Sequence, residues 1–260
     1  MRVCSLASSS KGNCNILYTD TSILVVDMGI TLKELEEKFF RLGLDPCNMV
    51  GVIVSHEHSD HTKGLKSLSN KYSVPVYCHS DATDGVINKT GILPSKIIRF
   101  GDAPFMVGPY MVDPFRVSHD VFCVGFNIFV EKNKISIVTD LGYTTNDIVM
   151  RLWNSRLVII ESNHDEQMVI SGRYPPILKA RILSDKGHLS NINCAKVLAN
   201  LAQHRVKQVL LAHLSEENNT PDVCYSTICD YLKSVGIEPG VHIKIDIAKP
   251  HGVGPIFVLN

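Results

Sequence analysis

Runs of apolar residues divide the chain into short strands punctuated by a few helical stretches. Ile16 to Asp27 reads as two strands joined at the polar Thr19-Asp20-Thr21-Ser22. A helix is predicted from Thr31. Glu34 stands where a capping box needs it, Leu32, Leu35, Phe39 and Leu42 share one face, and Gly43 ends the helix. Met49 to Ser55 reads as a buried strand and Val74 to Cys78 as a short one. Further strands are expected at Phe115 to Ser118, Val124 to Val130, Lys134 to Thr139, Leu157 to Glu161 and Gln208 to Ala212. Helices are expected from Asn193 to His204, and from the Thr220-Pro221 cap to Gly236. Two strand-rich halves, each with its own helices, predict two sheets packed face to face with helices outside.

The strand ends carry a second regularity. Ser55 is followed by His56, Ser118 by His119, Thr139 by Asp140 and Ala212 by His213. Each time an apolar strand gives way to a side chain able to bind a metal. Strand ends in layered α/β folds converge on one rim, so these exits are candidates for one site.

The densest signal is His56-Glu57-His58-Ser59-Asp60-His61. Alternation along an extended segment puts His56 and His58 on one side, where both can reach one ion. Asp60 and His61 follow the turn and can face a second. Zinc and similar divalent ions take imidazole nitrogen and carboxylate oxygen, with a position left open for water in catalytic sites. With His119, Asp140 and His213 the set holds five imidazoles and two carboxylates, enough for two ions. Such a centre keeps net positive charge and favours anionic substrates.

Composition narrows the picture without deciding it. The 260 residues carry 26 Lys+Arg and 26 Asp+Glu, so no global field marks a nucleic-acid or membrane partner. The opening residues lack the apolar run of a secretory signal, and no stretch approaches the ~18 apolar residues of a membrane span. The eight cysteines show no C-x-x-C pair, so reduced thiols and a cytoplasmic protein are expected. Locally, Arg173, Lys179, Arg181, Lys186, Lys196, Arg205 and Lys207 stand against Asp185 alone, a candidate backbone-binding patch for a polyanion.

The H-x-H-x-D-H run, the later lone His119, Asp140 after its strand and His213 resemble the metal-binding series of the metallo-β-lactamase superfamily. The resemblance implies an α+β fold, the four-layer αβ/βα metallo-β-lactamase sandwich. It also implies one domain over residues 1–260, with pseudo-two-fold halves of about 1–125 and 126–260. Two divalent ions (Zn, Mn or Fe) are implied: His56, His58 and His119 on one, Asp60, His61 and His213 on the other, with Asp140 bridging. Asp27 in Val-Asp-Met-Gly is similar to the family's early D-x-G, whose Asp supports the ligands from behind. His58, where a diiron reductase of the superfamily would carry Glu, points to hydrolysis.

Other segments resemble the WalJ (YycJ) group of that superfamily, regarded as DNA exonucleases. They are Leu6 to Cys14 (with Ser9 where the group often has Gly), Glu161-Ser162-Asn163-His164-Asp165, Tyr174-Pro175 and Gly187-His188-Leu189-Ser190-Asn191. The resemblance implies a phosphodiesterase acting on DNA from 5′ to 3′ through a metal-bound hydroxide. Asp60 and His188 are its catalytic residues. Gly187-His188-Leu189-Ser190 also resembles the G-H-[ST] segment of ribonuclease Z and of cyclic phosphodiesterases, whose His is taken to protonate the leaving oxygen. His164 is expected behind the ligands, and Lys179, Arg181, Ser190 and Asn191 at the substrate. Two other functions stay open: a small-molecule hydrolase for a cyclic phosphate, thioester or lactone, and a non-catalytic regulatory protein that binds nucleic acid.

Overall fold

The computed structural model describes residues 1–259. The chain opens on a hairpin of β1 (Arg2–Ser9) and β2 (Gly12–Tyr18), with Ser9 opposite Gly12 and a register shift between Ser5 and Ala7. The stretch from Leu6 to Cys14 therefore runs through a two-residue turn. β3 (Ile23–Val26) follows, then α1 (Leu32–Leu42). The α1 capping box is reciprocal: Thr31 N–H donates to Glu34 Oε2 at 2.7 Å, and Glu34 N–H to Thr31 Oγ1 at 3.2 Å. Gly43 ends the helix at φ 66°, a left-handed position that glycine takes without steric cost.

β4 (Met49–Val54), α2 (Ser59–Thr62), α3 (Leu65–Tyr72), β5 (Val76–His79), α4 (Ser80–Thr90) and β6 (Ile97–Phe100) continue the chain. The expected strand at Val74 starts at Val76 instead. Pro75 has no N–H for a ladder, although its carbonyl accepts from Val52 N–H at 3.0 Å. The first sheet has the order β14-β1-β2-β3-β4-β5-β6, antiparallel from β14 (Ile256–Val258) to β3 and parallel from β3 to β6.

The second sheet contains β7 (Phe105–Val107), β8 (Tyr110–Val117), β9 (Cys123–Val130), β10 (Asn133–Val138), β11 (Leu157–Glu161), β12 (Gln208–Ala212) and β13 (Lys244–Ile247), in the order β13-β12-β11-β10-β9-β8-β7. β10 to β13 are parallel. The apolar run Leu157–Ile160 that leads to Glu161 in β11 is what a strand covered on both faces requires. Helices α5 (Asn146–Leu152), α6 (Glu166–Ser171), α7 (Pro176–Ile182), α8 (Asn191–Gln203) and α9 (Pro221–Ser234) belong to this half. α8 begins before Asn193 because Ser190 is its N-cap, accepting from Asn193 N–H at 3.4 Å.

Two mixed sheets with helices make this an α+β fold. The chain divides into two compact units: residues 1–114, 128–131 and 249–259, and residues 115–127 and 132–248. In the second, Val158, Ile160, Val209 and Leu211 pack with Leu198 and Leu201 of α8 and Ile228 and Leu232 of α9 in one apolar cluster. All eight cysteines are free thiols, and only Cys47 is exposed. Among the described residues no helix is long and apolar enough to cross a membrane.

Candidate metal centre

In the first unit β3 and β4 are parallel, so Asp27 and His56 leave their strands at the same rim. Asp27 takes a left-handed backbone (φ 60°), which stops β3 and aims its carboxylate at β4. Its Oδ1 accepts from Ser55 N–H at 2.8 Å, and Ser55 Oγ lies 2.9 Å from Oδ2. Oδ2 also lies 2.8 Å from His61 Nδ1. A carboxylate can only accept, so His61 carries its proton on Nδ1 and keeps the lone pair on Nε2. That nitrogen faces Asp60 Oδ2 at 3.4 Å and accepts from the Asn13 amide at 3.0 Å. Ser55 Oγ also lies 3.0 Å from His56 Nδ1. The rings of His58 and His61 sit 4.7 and 4.3 Å from that of His56.

Gly29 is part of this arrangement. A Cβ there would lie 1.6 Å from the Asp60 carbonyl oxygen and 2.6 Å from the Asn13 nitrogen. Both obstacles are backbone, so they cannot swing aside. Gly29→Ala is expected to displace the Asp60 loop and cost about 1–3 kcal/mol, the range for an overpacked interior. Chemical denaturation checks this; an unchanged midpoint would show that the loop yields freely.

In the second unit β10, β11 and β12 are parallel; Glu161 is the last residue of β11, and Asp140 and His213 follow the ends of β10 and β12. Asp140 (φ 59°) and His213 (φ 55°) are also left-handed. Such positions cost roughly 1–3 kcal/mol each and persist where the surroundings over-determine them. Glu161 is fully buried and is the hub. Its Oε2 accepts from the N–H groups of Leu141 and Leu189, both at 3.1 Å. Its Oε1 accepts from Nδ1 of His188 at 2.8 Å and of His213 at 2.6 Å. Burial pushes the Glu161 carboxyl up, but His188 and His213 outweigh it and hold the group down at about 2. Burial likewise opposes charge on His188, yet Glu161 prevails and raises its pKa.

Asp140 Oδ1 lies 3.5 Å from His213 Nδ1 and 3.8 Å from His188 Nδ1. One atom from each of Asp140, Glu161, His188 and His213 falls within 4.8 Å of the others. His119 donates from Nδ1 to the Gly187 carbonyl at 3.3 Å, which turns Nε2 toward Asp120 at 3.2 Å and Asp140 at 3.9 Å.

The first unit therefore brings together His56, His58, Asp60 and His61 over Asp27. The second brings together His119, Asp140, His188 and His213 over Glu161. His164 is buried, and burial lowers its pKa. Ser190 caps α8 and donates to Glu166 at 2.8 Å, while the buried Asn191 bonds Ser162 and Asn219. Both of these side chains are engaged inside the unit. On α7 Arg181 is exposed and Lys179 half-buried; Arg181 pairs with Asp120, and Lys179 donates to the Ile170 carbonyl.

Four participants escaped the sequence reading of roles: Glu161, Ser55, Asn13 and Asp120. Glu161 had a signal, because it ends an apolar strand as His56 and His213 nearly do. Ser55 and Asp120 adjoin ligand candidates, but nothing local says which way a Ser or Asp will point.

The donor set fits divalent metal ions. Ring nitrogens whose opposite nitrogens are held by a carboxylate or carbonyl, next to the carboxylates of Asp60 and Asp140, are the chemistry that zinc-like ions select. Glu161 spends its oxygens on four hydrogen-bond donors, which makes it an orienting group and not a ligand.

Residues 24–214 match the family model described as the beta-lactamase superfamily domain. The exodeoxyribonuclease YycJ of Bacillus anthracis is 35% identical over 249 residues, covering 94% of each chain. The exodeoxyribonuclease WalJ of Streptococcus pneumoniae is 31% identical, covering 96% of this chain and 95% of that one. Among solved structures, the metallo-β-lactamase fold protein YhfI of Bacillus subtilis superposes with TM-score 0.71 at 18% identity, over 98% of this chain and 99% of its own. The short form of human tRNase Z gives 0.64 at 17% identity, over 99% and 100%. These two likenesses establish the αβ/βα fold. On the family match and the two nearly full-length relatives, the chain belongs to the metallo-β-lactamase superfamily, in the group of YycJ and WalJ.

Proposed function

We propose that this chain is a metal-dependent nuclease that hydrolyses phosphodiester bonds of DNA, trimming from the 5′ end. The chain acts as a single catalytic domain. His56, His58 and His119 would hold one divalent ion and Asp60, His61 and His213 a second, with Asp140 as a further donor; zinc, manganese and iron suit these donors. The observation that carries the reading is the Glu161–His188 pair, set among metal-binding side chains in a chain 35% identical to an exodeoxyribonuclease.

Bound divalent ions supply positive charge for the phosphate and lower the pKa of a coordinated water. The chain's own groups do the rest. Asp27 fixes the tautomer of His61, and Glu161 that of His213, so each ring presents one defined nitrogen. Glu161 holds the Nδ1 proton of His188 and leaves Nε2 to carry the proton that the departing sugar oxygen needs. Lys179 and Arg181 contact phosphates away from the reacting one. The exposed Arg181–Asp120 pair is worth only about 0–1 kcal/mol, so a phosphate displaces Asp120 at small cost.

The reading is tested by metal-dependent cleavage of end-labelled single- and double-stranded DNA and RNA, with products sized. Mononucleotides released from the 5′ end of DNA are expected. Hydrolysis of small diesters without any nucleic-acid cleavage would favour the small-molecule hydrolase instead. Charge reversal of Lys179 and Arg181 is expected to flatten the salt dependence of DNA affinity by about 0.7–0.9 in log–log slope per lost contact. An unchanged slope would leave α7 as a solvated face.

A further inference from the structure

A small cavity with two lysines in its walls lies in the first unit. It has a volume of about 190 Å³, and its walls include Lys11, Gly12, Gly29, Glu34, Lys63 and His251. We infer that this cavity is a phosphate-binding subsite that holds one phosphate of the nucleic-acid chain beside the metal-binding loops. The inference rests on the nuclease reading above and deepens it.

Four separate segments build the cavity. Lys11 and Gly12 come from the β1–β2 turn, Gly29 from the loop after β3, and Lys63 from the residue that follows α2. The fourth is the C-terminal tail, pinned there because His251 bridges Ala7 and Ser8 N–H donates to the Pro250 carbonyl at 3.4 Å. Residues distant in sequence thus place three basic side chains around one hollow. Glu34 is the only acidic group in the lining, and its carboxylate already accepts from the Thr31 N–H and hydroxyl, both at 2.7 Å.

Size and donor type select the ligand. Pockets for drug-sized molecules run to about 300–1,000 Å³, so this one is small for a nucleoside and ample for a phosphate. The Gly29 amide is spent on the Asn13 carbonyl at 2.8 Å, so recognition falls to the ammonium groups. Lysine binds phosphate as a mobile point charge, which suits a chain that must advance after each cut.

The position relative to the metal ligands follows from shared walls. Gly29 packs against the Asp60 backbone, and Asn13, next to Gly12, donates to Asp60 Oδ2 at 3.2 Å and to His61 Nε2 at 3.0 Å. Lys63 follows His61 by two residues. A strand whose reacting phosphate lies at Asp60 and His61 therefore has a neighbouring phosphate within reach of Lys11 and Lys63.

The test uses the full-length, metal-loaded protein and a phosphorothioate-linked single-stranded oligonucleotide that resists cleavage. Affinity is measured against salt for 5′-phosphorylated and 5′-hydroxyl forms. Lys11→Glu with Lys63→Glu is expected to weaken binding at least about tenfold near 0.1 M salt and to flatten the slope by about 0.7–0.9 per lysine. Lys11→Arg with Lys63→Arg, which keeps the charge, should restore most of the affinity. Thermal melting of each variant separates lost binding from lost folding, and Lys233→Glu on α9 controls for net charge. A loss confined to the 5′-phosphorylated form identifies a terminal phosphate; an equal loss on both identifies an internal one; both outcomes support the subsite. If wild type binds and cleaves DNA while the folded double variant binds as well and with the same slope, the subsite is overturned and the nuclease reading stands. If wild type neither binds nor cleaves nucleic acid, the nuclease reading falls and takes the subsite with it.

Discussion

His58→Ala and Asp60→Asn are each expected to lose hydrolysis and bound metal together. Both remove a donor from the segment that follows β4, and the neighbouring rings of His56 and His61 cannot replace the missing atom without leaving Ser55 and Asp27. Loss of a supporting hydrogen bond alone typically costs about 10–100-fold in metal affinity or activity, so loss of a primary donor should cost more. The fold is expected to survive, because these residues follow a strand and do not fill the apolar core. Elemental analysis, turnover and circular dichroism on the same preparations check all three points. Full metal content with normal turnover in both variants would remove these residues from the centre.

The second large effect is expected at His188. His188→Ala should retain its metal and lose roughly 10²–10⁴-fold in turnover, the usual contribution of a positioned proton donor. The loss should shrink for bis-p-nitrophenyl phosphate, whose leaving group needs little protonation. Glu161 sharpens the test. It binds His188 and His213 through the same oxygen, so Glu161→Gln should disturb both, lowering turnover and metal content together. An amide in that position cannot accept at both oxygens as the carboxylate does, and its nitrogen would face the Leu141 and Leu189 N–H groups. A variant at His188 that lost metal as Glu161→Gln does would make His188 a structural partner of the centre. Equal losses on activated and unactivated diesters would remove the acid role.

Much of this protein was determined by its sequence alone, and that part is local. The capping box of Thr31 and Glu34, the buried runs at Leu157 to Glu161 and Gln208 to Ala212, and the spacing of His56, His58, Asp60 and His61 are each written within one segment. Propensity, periodicity and motif act over a few residues, so these features could be read without a partner. Strand exits could also be placed at a rim, because a parallel sheet gives all its strands one direction. Short elements such as β6, β13 and β14 were not legible: their residues are partly exposed and too few to show a period.

Only the tertiary structure decided who holds whom. Asp27 meets His61 across 34 residues, and Glu161 meets His213 across 52. Such pairings depend on strand register and on the left-handed turns at Asp27, Asp140 and His213, which no spacing announces. The same holds for Ser190 and Asn191, whose side chains turn inward to cap α8 and to bond Ser162 and Asn219, and for a cavity built from four separate segments. Hydrogen-bond partners distant in the chain are chosen by packing, since a buried polar group must find whichever partner the fold brings near.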